Sequence, residues 1–358
     1  MNKKKDIRQL TLEQLTLELL ALEEKPFRAK QIYEWLWKKR ATSFDEMTSL
    51  SKDLREKLKK DYEIRAIQLS EAQYSNDRTV KNAFELADGA VIEGVLIPTS
   101  KRMTACVSIQ VGCSLSCAFC ATGKLKRVRN LNPDEIYDQV VMINEQAKKR
   151  YEIPLSNIVF MGMGEPLLNY QNVLIAIDKI TSEKGLGMSP KRITLSTAGI
   201  AKMIKKLGDD EVRFNLALSL HAANDEKRNK IMPINESNNL DALKEALVYF
   251  YEKTNIRPTF EYIIFKDFND EIDDARELAN FCKVVPSKVN IIEYNSIDDG
   301  IYQQADMKKV DAFAQYLESQ KIIVNIRRSR GKDIDAACGQ LANKNDAANK
   351  EAIFSEDY

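Results

Sequence analysis

The chain is 358 residues long, 44% hydrophobic and 30% charged, with 54 basic against 53 acidic side chains. That length suits one large α/β domain with a small appendage, and no apolar run approaches the roughly eighteen residues of a membrane span. A single histidine, His221, excludes a His-rich metal site or an HExxH zinc site, and the net charge of +1 leaves any nucleic-acid contact to local patches.

Met1-Asn2-Lys3-Lys4-Lys5 runs into an acidic, Leu-bearing stretch and not into a signal-peptide core, so a soluble, cytoplasmic protein is expected. Residues 1–65 read as a small helical module with Leu10, Leu12, Leu15, Leu17, Leu19 and Leu20 on an apolar face and Pro26 near the start of a second helix. A third helix is expected at about 50–60. The module carries sixteen Lys/Arg against twelve Asp/Glu; a solvated helix surface explains most of these charges, and the alternative is an accessory, RNA-gripping domain whose removal spares the core.

From 66 to 103 the pattern becomes a β extension, with strands at 79–86 and 91–98 separated by Asp88-Gly89. A strand at 103–111 leads into a core over 104–320, where strands near 157–161, 192–196, 213–220, 259–265 and 289–294 alternate with helices. Asn132-Pro133-Asp134-Glu135 is a capped helix start. Six such βα units predict an α/β fold with an open parallel sheet or partial barrel. A last helix at 307–319 and a strand at 322–326 open a C-terminal segment, 321–342, and a polar, frayed tail is expected over 343–358. No long apolar seam demands a dimer, so a monomer is expected.

Six cysteines stand out in a chain without an export signal: Cys106, Cys113, Cys117, Cys120, Cys282 and Cys338. Cys113, Cys117 and Cys120 form a C-x3-C-x2-C motif just after a strand, where three thiolates can converge on a soft metal centre. A structural zinc site would want a fourth nearby ligand. A [4Fe–4S] cluster held by three thiolates leaves one iron open for a substrate. An open iron of this kind can take S-adenosylmethionine and direct its reductive cleavage, and here the sequence resembles the radical-SAM superfamily.

The second core strand closes with Met161-Gly162-Met163-Gly164-Glu165-Pro166, where glycine admits a ligand and Glu165 can accept from an ammonium group. Ser196, Ser219, Leu220, His221 and Asn295 end later strands on the same rim. Each alone reads as a turn or cap residue, and His221 reads equally as a satisfied surface imidazole. On position alone, Cys106 reads as buried structure.

With Cys106, the cysteine loop, Gly162–Pro166 and the tail Asp333-Ile334-Asp335-Ala336-Ala337-Cys338-Gly339-Gln340-Leu341 taken together, the chain resembles the RlmN family of RNA methyltransferases, nearly end to end. The resemblance implies a radical-SAM partial (β/α)6 barrel that methylates adenosine C2 in 23S rRNA and tRNA. It implies one [4Fe–4S] cluster on Cys113, Cys117 and Cys120, and two S-adenosylmethionine molecules per turnover. Gly164, Glu165, Ser196, Ser219, Leu220, His221 and Asn295 would bind the cofactor, although Ser296 stands where the family pattern has proline. Glu93 would accept a proton, Cys338 would carry the methyl group, and Cys106 would be its redox partner through a Cys106–Cys338 disulfide. An unidentified one-electron donor is also implied. Cys282, between Phe281 and Val284, reads as a core thiol. Lys124, Lys126, Arg127 and Arg129, with Arg327, Arg328, Arg330 and Lys332, offer phosphate contacts. The alternatives are the related adenine-C8 methyltransferases and, in another class, a non-catalytic iron–sulfur RNA-binding protein.

Overall fold

The structure is a computed structural model that describes residues 4–344. Of the tail expected to fray, Asn343 and Lys344 are bonded to the body of the protein, and 345–358 lie outside the described residues. The N-terminal module holds α1 (Leu12–Ala21), capped by Thr11 and Gln14, then α2 (Phe27–Trp37) and α3 (Lys52–Asp61), capped by Ser51. Short parallel strands β1 (Lys5–Asp6) and β2 (Tyr62–Glu63) tie its two ends together. Leu15, Leu19, Ile32, Leu36 and Leu54 are buried, whereas Leu17 and Leu20, expected on the same apolar face, are exposed, because they fall on the outer side of α1.

The extension is an antiparallel run of β3 (Gln68–Tyr74), β4 (Val80–Glu85) and β5 (Val91–Pro98), completed by β6 (Met103–Cys106). The single strand expected at 103–111 is interrupted. After Cys106 the chain leaves the sheet, and the Ser108 hydroxyl donates to the Glu93 carbonyl at 2.5 Å. Its continuation, β7 (Gln110–Val111), pairs with β8 (Arg129–Asn130) in a separate ribbon.

The core then alternates α4 (Pro133–Tyr151), β9 (Asn157–Phe160), α5 (Tyr170–Thr181), β10 (Ile193–Thr197), α6 (Ala201–Asp209) and β11 (Asn215–Ser219). It continues through α7 (Asp225–Ile231), α8 (Leu240–Thr254), β12 (Thr259–Ile264), α9 (Ile272–Cys282), β13 (Lys288–Glu293), α10 (Met307–Ser319) and β14 (Ile323–Arg327). The main sheet has the order β14-β13-β12-β11-β10-β9-β6-β5-β4-β3. The six expected parallel strands are β6 and β9 to β13, and β14 adds a seventh, parallel to β13. The extension therefore continues the core sheet from β6 outward.

Met161, Ser196, Ser219, Glu261, Ile292 and Arg327, from six successive strands or their ends, border one cavity of about 170 Å³. A flat run of six strands would be roughly 24 Å wide. The sheet therefore curls, as an open barrel does, with β14 and β3 as its edges.

Candidate active site

The cysteine loop is held at both ends by its ribbon. Gly112 turns it with φ of +71°, and a side chain there would meet the Lys126 carbonyl oxygen at 2.2 Å. Inside the loop, Cys120 N–H donates to the Cys117 carbonyl, and Ala118 N–H donates to the Ile231 carbonyl. Cys113, Cys117 and Cys120 then line the same cavity. Burial raises the pKa of each thiol, and mutual repulsion adds to the rise at Cys113 and Cys117.

Among the described residues, no three Cys, His, Asp or Glu side chains converge closely enough to share one metal ion. Three thiols from one short loop on one cavity fit a cubane, in which each thiolate would meet a different iron, and a bound cluster would overcome the thiols' reluctance to ionise.

The rim opposite is built from strand ends. Gly164 has φ of +97°, and a Cβ there would lie 2.5 Å from Gln110 Cβ. Glu165 is buried, and its carboxylate accepts from Leu167 N–H at 3.0 Å, Thr197 Oγ1 at 2.7 Å and Ala198 N–H at 2.8 Å. Burial raises its pKa, and these donors oppose the rise. Three of its roughly four acceptor positions are thus filled by protein, which leaves one for a ligand ammonium.

Ser196 and Ser219 face each other across neighbouring strands, 3.3 Å between hydroxyls, and both line the cavity. His221 is buried, which corrects the surface alternative. It sits at φ of +56° with its ring 4.7 Å from that of Phe119. Its Nδ1 accepts from Ile263 N–H at 3.1 Å, so the ring proton belongs on Nε2. Burial, helped by nearby Arg228, lowers its pKa to about 3, and the imidazole is neutral.

Leu220 and Asn295, also expected at the cofactor, are not among the cavity's lining residues. Leu220 packs its side chain into the core, its carbonyl accepts from Arg228 Nε, and its N–H donates to the Glu261 carbonyl. Asn295 is buried behind the tail and donates to the Cys338 carbonyl at 3.2 Å.

Cys338 borders two cavities. One is the cofactor-sized space described above, and the other, of about 290 Å³, is lined by Cys106, Thr99 and three arginines, Arg327, Arg328 and Arg330. Both cysteines are free thiols. Burial drives Cys106 up to about 12; Cys338, exposed into the cavities it borders, is also raised by its crowded surroundings, and Arg327 pulls both down. The tail that carries Cys338 is fastened to the cluster loop by Ala121 N–H to the Gly339 carbonyl and Thr122 Oγ1 to the Leu341 carbonyl. Glu93 lines neither cavity; one of its oxygens accepts the N–H groups of Ala342 and Asn343 at 2.8 and 3.0 Å.

Residues 5–64 match the family described as ribosomal RNA large subunit methyltransferase N-terminal domain, and residues 107–279 match the radical SAM superfamily. A probable dual-specificity RNA methyltransferase RlmN from Christiangramia forsetii is 59% identical over 96% of this chain and 97% of its own. The chain belongs to the RlmN family. A dual-specificity RNA methyltransferase RlmN from Campylobacter fetus is 43% identical over 88% of this chain and 92% of its own. A solved radical SAM methyltransferase from Sphaerobacter thermophilus superposes with a TM-score of 0.88 at 36% identity, covering 94% of this chain and 99% of its own.

As an RlmN-family RNA methyltransferase, the protein uses a [4Fe–4S] cluster and S-adenosylmethionine. No helix among the described residues is long and apolar enough to cross a membrane. Not all of the basic residues read as RNA contacts are free. Arg129 is tied to Asp88 at 2.6 Å and to Glu135 at 2.8 Å, and Lys124 donates to the Asp298 carbonyl. Lys126 and Arg127 are exposed.

Sequence reasoning missed Arg228. It is fully buried on α7 and donates to the carbonyls of Ala198, Ser219 and Leu220 and to Asn235. It thereby fixes the ends of β10 and β11 where the cofactor rim forms. Burial lowers its pKa to about 10, so it stays cationic at neutral pH. No signal marked it, because Asp225-Glu226-Lys227-Arg228 reads as a solvated helix turn.

Proposed function

We propose that the protein methylates C2 of an adenosine in 23S rRNA and of the adenosine 3′ to the anticodon in tRNA, with Cys338 as methyl carrier. The observation that carries this reading is the position of Cys338 between two cavities, with Cys106 on the second alone. The first cavity, bounded by the cluster loop, Glu165 and the two serines, suits S-adenosylmethionine. The second, with its arginines, suits an unstacked adenosine and its phosphates.

When bound, the cluster and S-adenosylmethionine supply the electron and the 5′-deoxyadenosyl radical that activates the methyl group on Cys338. Adenine C2 is electron-poor, so direct attack on a sulfonium methyl is unfavourable, and a protein thioether is the chemical remedy. The Cys338 thiolate, stabilised by Arg327, first takes the methyl group of one S-adenosylmethionine by substitution, and S-adenosylhomocysteine leaves. Cys338 then presents the carbon to the adenine across the shared wall of the cavities. Glu93, on the same sheet face as Cys106 though outside the lining of either cavity, is the acceptor the resemblance implies for the proton lost from C2, and the adduct's odd electron would return to the bound cluster. Cys106 attacks the Cys338 sulfur, so that an S–S bond forms as the carbon–sulfur bond breaks, and the released carbon takes a proton to become methyl. The protein works as a monomer with an external one-electron donor.

The test is the contrast between two variants purified from cells. Cys106→Ala should accumulate RNA covalently linked to Cys338, visible on a denaturing gel, whereas Cys338→Ala should carry no methyl group and no RNA. Adduct-free Cys106→Ala protein that still methylates RNA would overturn the assignment. Analysis of the modified nucleoside separates C2 from C8.

A further inference from the structure

Lys81, on β4, is a buried ammonium that takes no part in the chemistry described so far, and its side chain is 3% exposed. Its ion-pair partner among the described residues is Glu93, 3.5 Å from Nζ to Oε1, and the Glu93 side chain is 1% exposed. Register explains the meeting. Lys81 stands opposite Val95, Val95 opposite Cys106, and Ala83 opposite Glu93, so Lys81, Glu93 and Cys106 share one face of the sheet.

The two oxygens of Glu93 are used differently. Oε2 takes both tail N–H groups, whereas Oε1 has no hydrogen-bond partner and faces only the ammonium. Other charged or titratable groups nearby are few. Cys106 on β6 is a neutral thiol, and Lys344 in the tail is paired with Asp298 and Asp335. A buried charge pair is no better for stability than a well-packed apolar pair, so its presence calls for another reason.

We propose that Lys81 is a positioning residue for the transfer reaction, which keeps Glu93 a carboxylate and through it holds the backbone that follows Cys338. The proposal rests on the roles given above to Glu93 and Cys338. Without the ammonium, Glu93 is a lone buried charge, and burial favours its protonated form. A protonated Glu93 cannot accept a proton, and it binds the two tail amides without charge assistance.

The experiment compares Lys81→Met, Lys81→Arg and Glu93→Gln with the wild type in two measurements. In RNA methylation as a function of pH, Lys81→Met should shift the acidic limb upward by about one unit or more, a roughly tenfold loss at the low end. Lys81→Arg should follow the wild type. In the protein without cofactors or RNA, hydrogen exchange of the 341–344 segment, corrected for intrinsic rates, should lose protection in Lys81→Met and keep it in Lys81→Arg. Wild-type pH dependence and wild-type protection in Lys81→Met, with Glu93→Gln inactive, would overturn the proposal alone. Normal turnover by Glu93→Gln would overturn the role of Glu93 and the proposal with it. Should Lys81→Met fail to fold, Lys81→Met/Glu93→Gln removes both charges together, and its 341–344 protection should match that of Glu93→Gln alone. Clearly lower protection in the double variant would show that Lys81 acts other than through Glu93, and would overturn the proposal.

Discussion

At position 164 the absence of one carbon atom lets two segments pack close together. Gly164 lies at a backbone angle that L-residues rarely adopt, and Gln110 occupies the space a side chain would need. Gln110 in turn accepts from Glu165 N–H at 2.9 Å and donates to Asn130 at 2.8 Å, so it links the cofactor rim to the ribbon of the cysteine loop. Gly164→Ala should therefore cost about 1–3 kcal/mol of stability and weaken S-adenosylmethionine binding. Thermal unfolding and calorimetric titration of the reconstituted protein check this; unchanged melting and affinity would mean that Gln110 yields freely. The glycine motif and the three cysteines were legible in the sequence because each is a local pattern that forces a local geometry. Arg228 and the tail contact of Glu93 were not, because partners 30 and 249 positions away leave no periodic trace.

Among the elements, α4 shows both what a sequence declares and what it hides. Its start was legible, since Asn132, Pro133 and Glu135 satisfy the first turn in a known way. Nothing local marks its acidic residues for burial, yet Asp134 and Asp138 are buried against Arg8 of the N-terminal module. Arg8 grips Asp138 with two bonds at 3.0 and 2.8 Å and touches Asp134 at 3.1 Å. One guanidinium thus serves two buried carboxylates, with Asp6 close by. Burial raises the Asp134 pKa to about 7, Asp6 and Asp138 add to the rise, and Arg8 opposes it. A carboxyl whose folded pKa lies above its unfolded value of 3.8 binds more protons when folded. Its contribution to stability is therefore greatest in acid and is lost as pH rises from about 4 to about 7. Asp134→Asn, which mimics the protonated form, should gain on the wild type across that window, by on the order of 1–3 kcal/mol above neutrality. Urea unfolding of both proteins at pH 5 and 8 measures it, and an equal difference at both pH values would refute it. The edge strand β3 was also illegible, because its Gln-Leu-Ser-Glu-Ala-Gln-Tyr run is largely exposed and carries no buried alternation.

Over the whole molecule, the parallel array was legible because each βα unit announces itself within about thirty residues. How the outer pieces join that array was not, because it depends on contacts between distant segments. The sequence suggested a detachable helical module over residues 1–65, and the structure argues against that separation. Besides Arg8, the Trp37 carbonyl accepts from Tyr137 Oη at 2.6 Å, the two rings meet edge-on at 5.4 Å, and Lys179 of α5 donates to Tyr33. The apolar residues of module and barrel form one continuous cluster. Deleting 1–65 would leave Asp134 and Asp138 without their cation, and removing one side of a buried pair costs about 3–5 kcal/mol before any exposed apolar surface is counted. That is a large share of a domain's usual stability. The truncated chain should therefore be poorly soluble and load little iron, and not survive as a core that merely lacks an RNA grip. Expression yield, iron content and S-adenosylmethionine cleavage of the truncated protein decide the matter. A soluble, fully loaded core that cleaves the cofactor at the wild-type rate would restore the detachable reading. Arg8→Met separates packing from RNA contact, because it breaks the buried network while the module's exposed basic residues stay in place. If the module serves mainly to complete the core, this one substitution should lower the unfolding midpoint and leave RNA affinity unchanged wherever the protein remains folded.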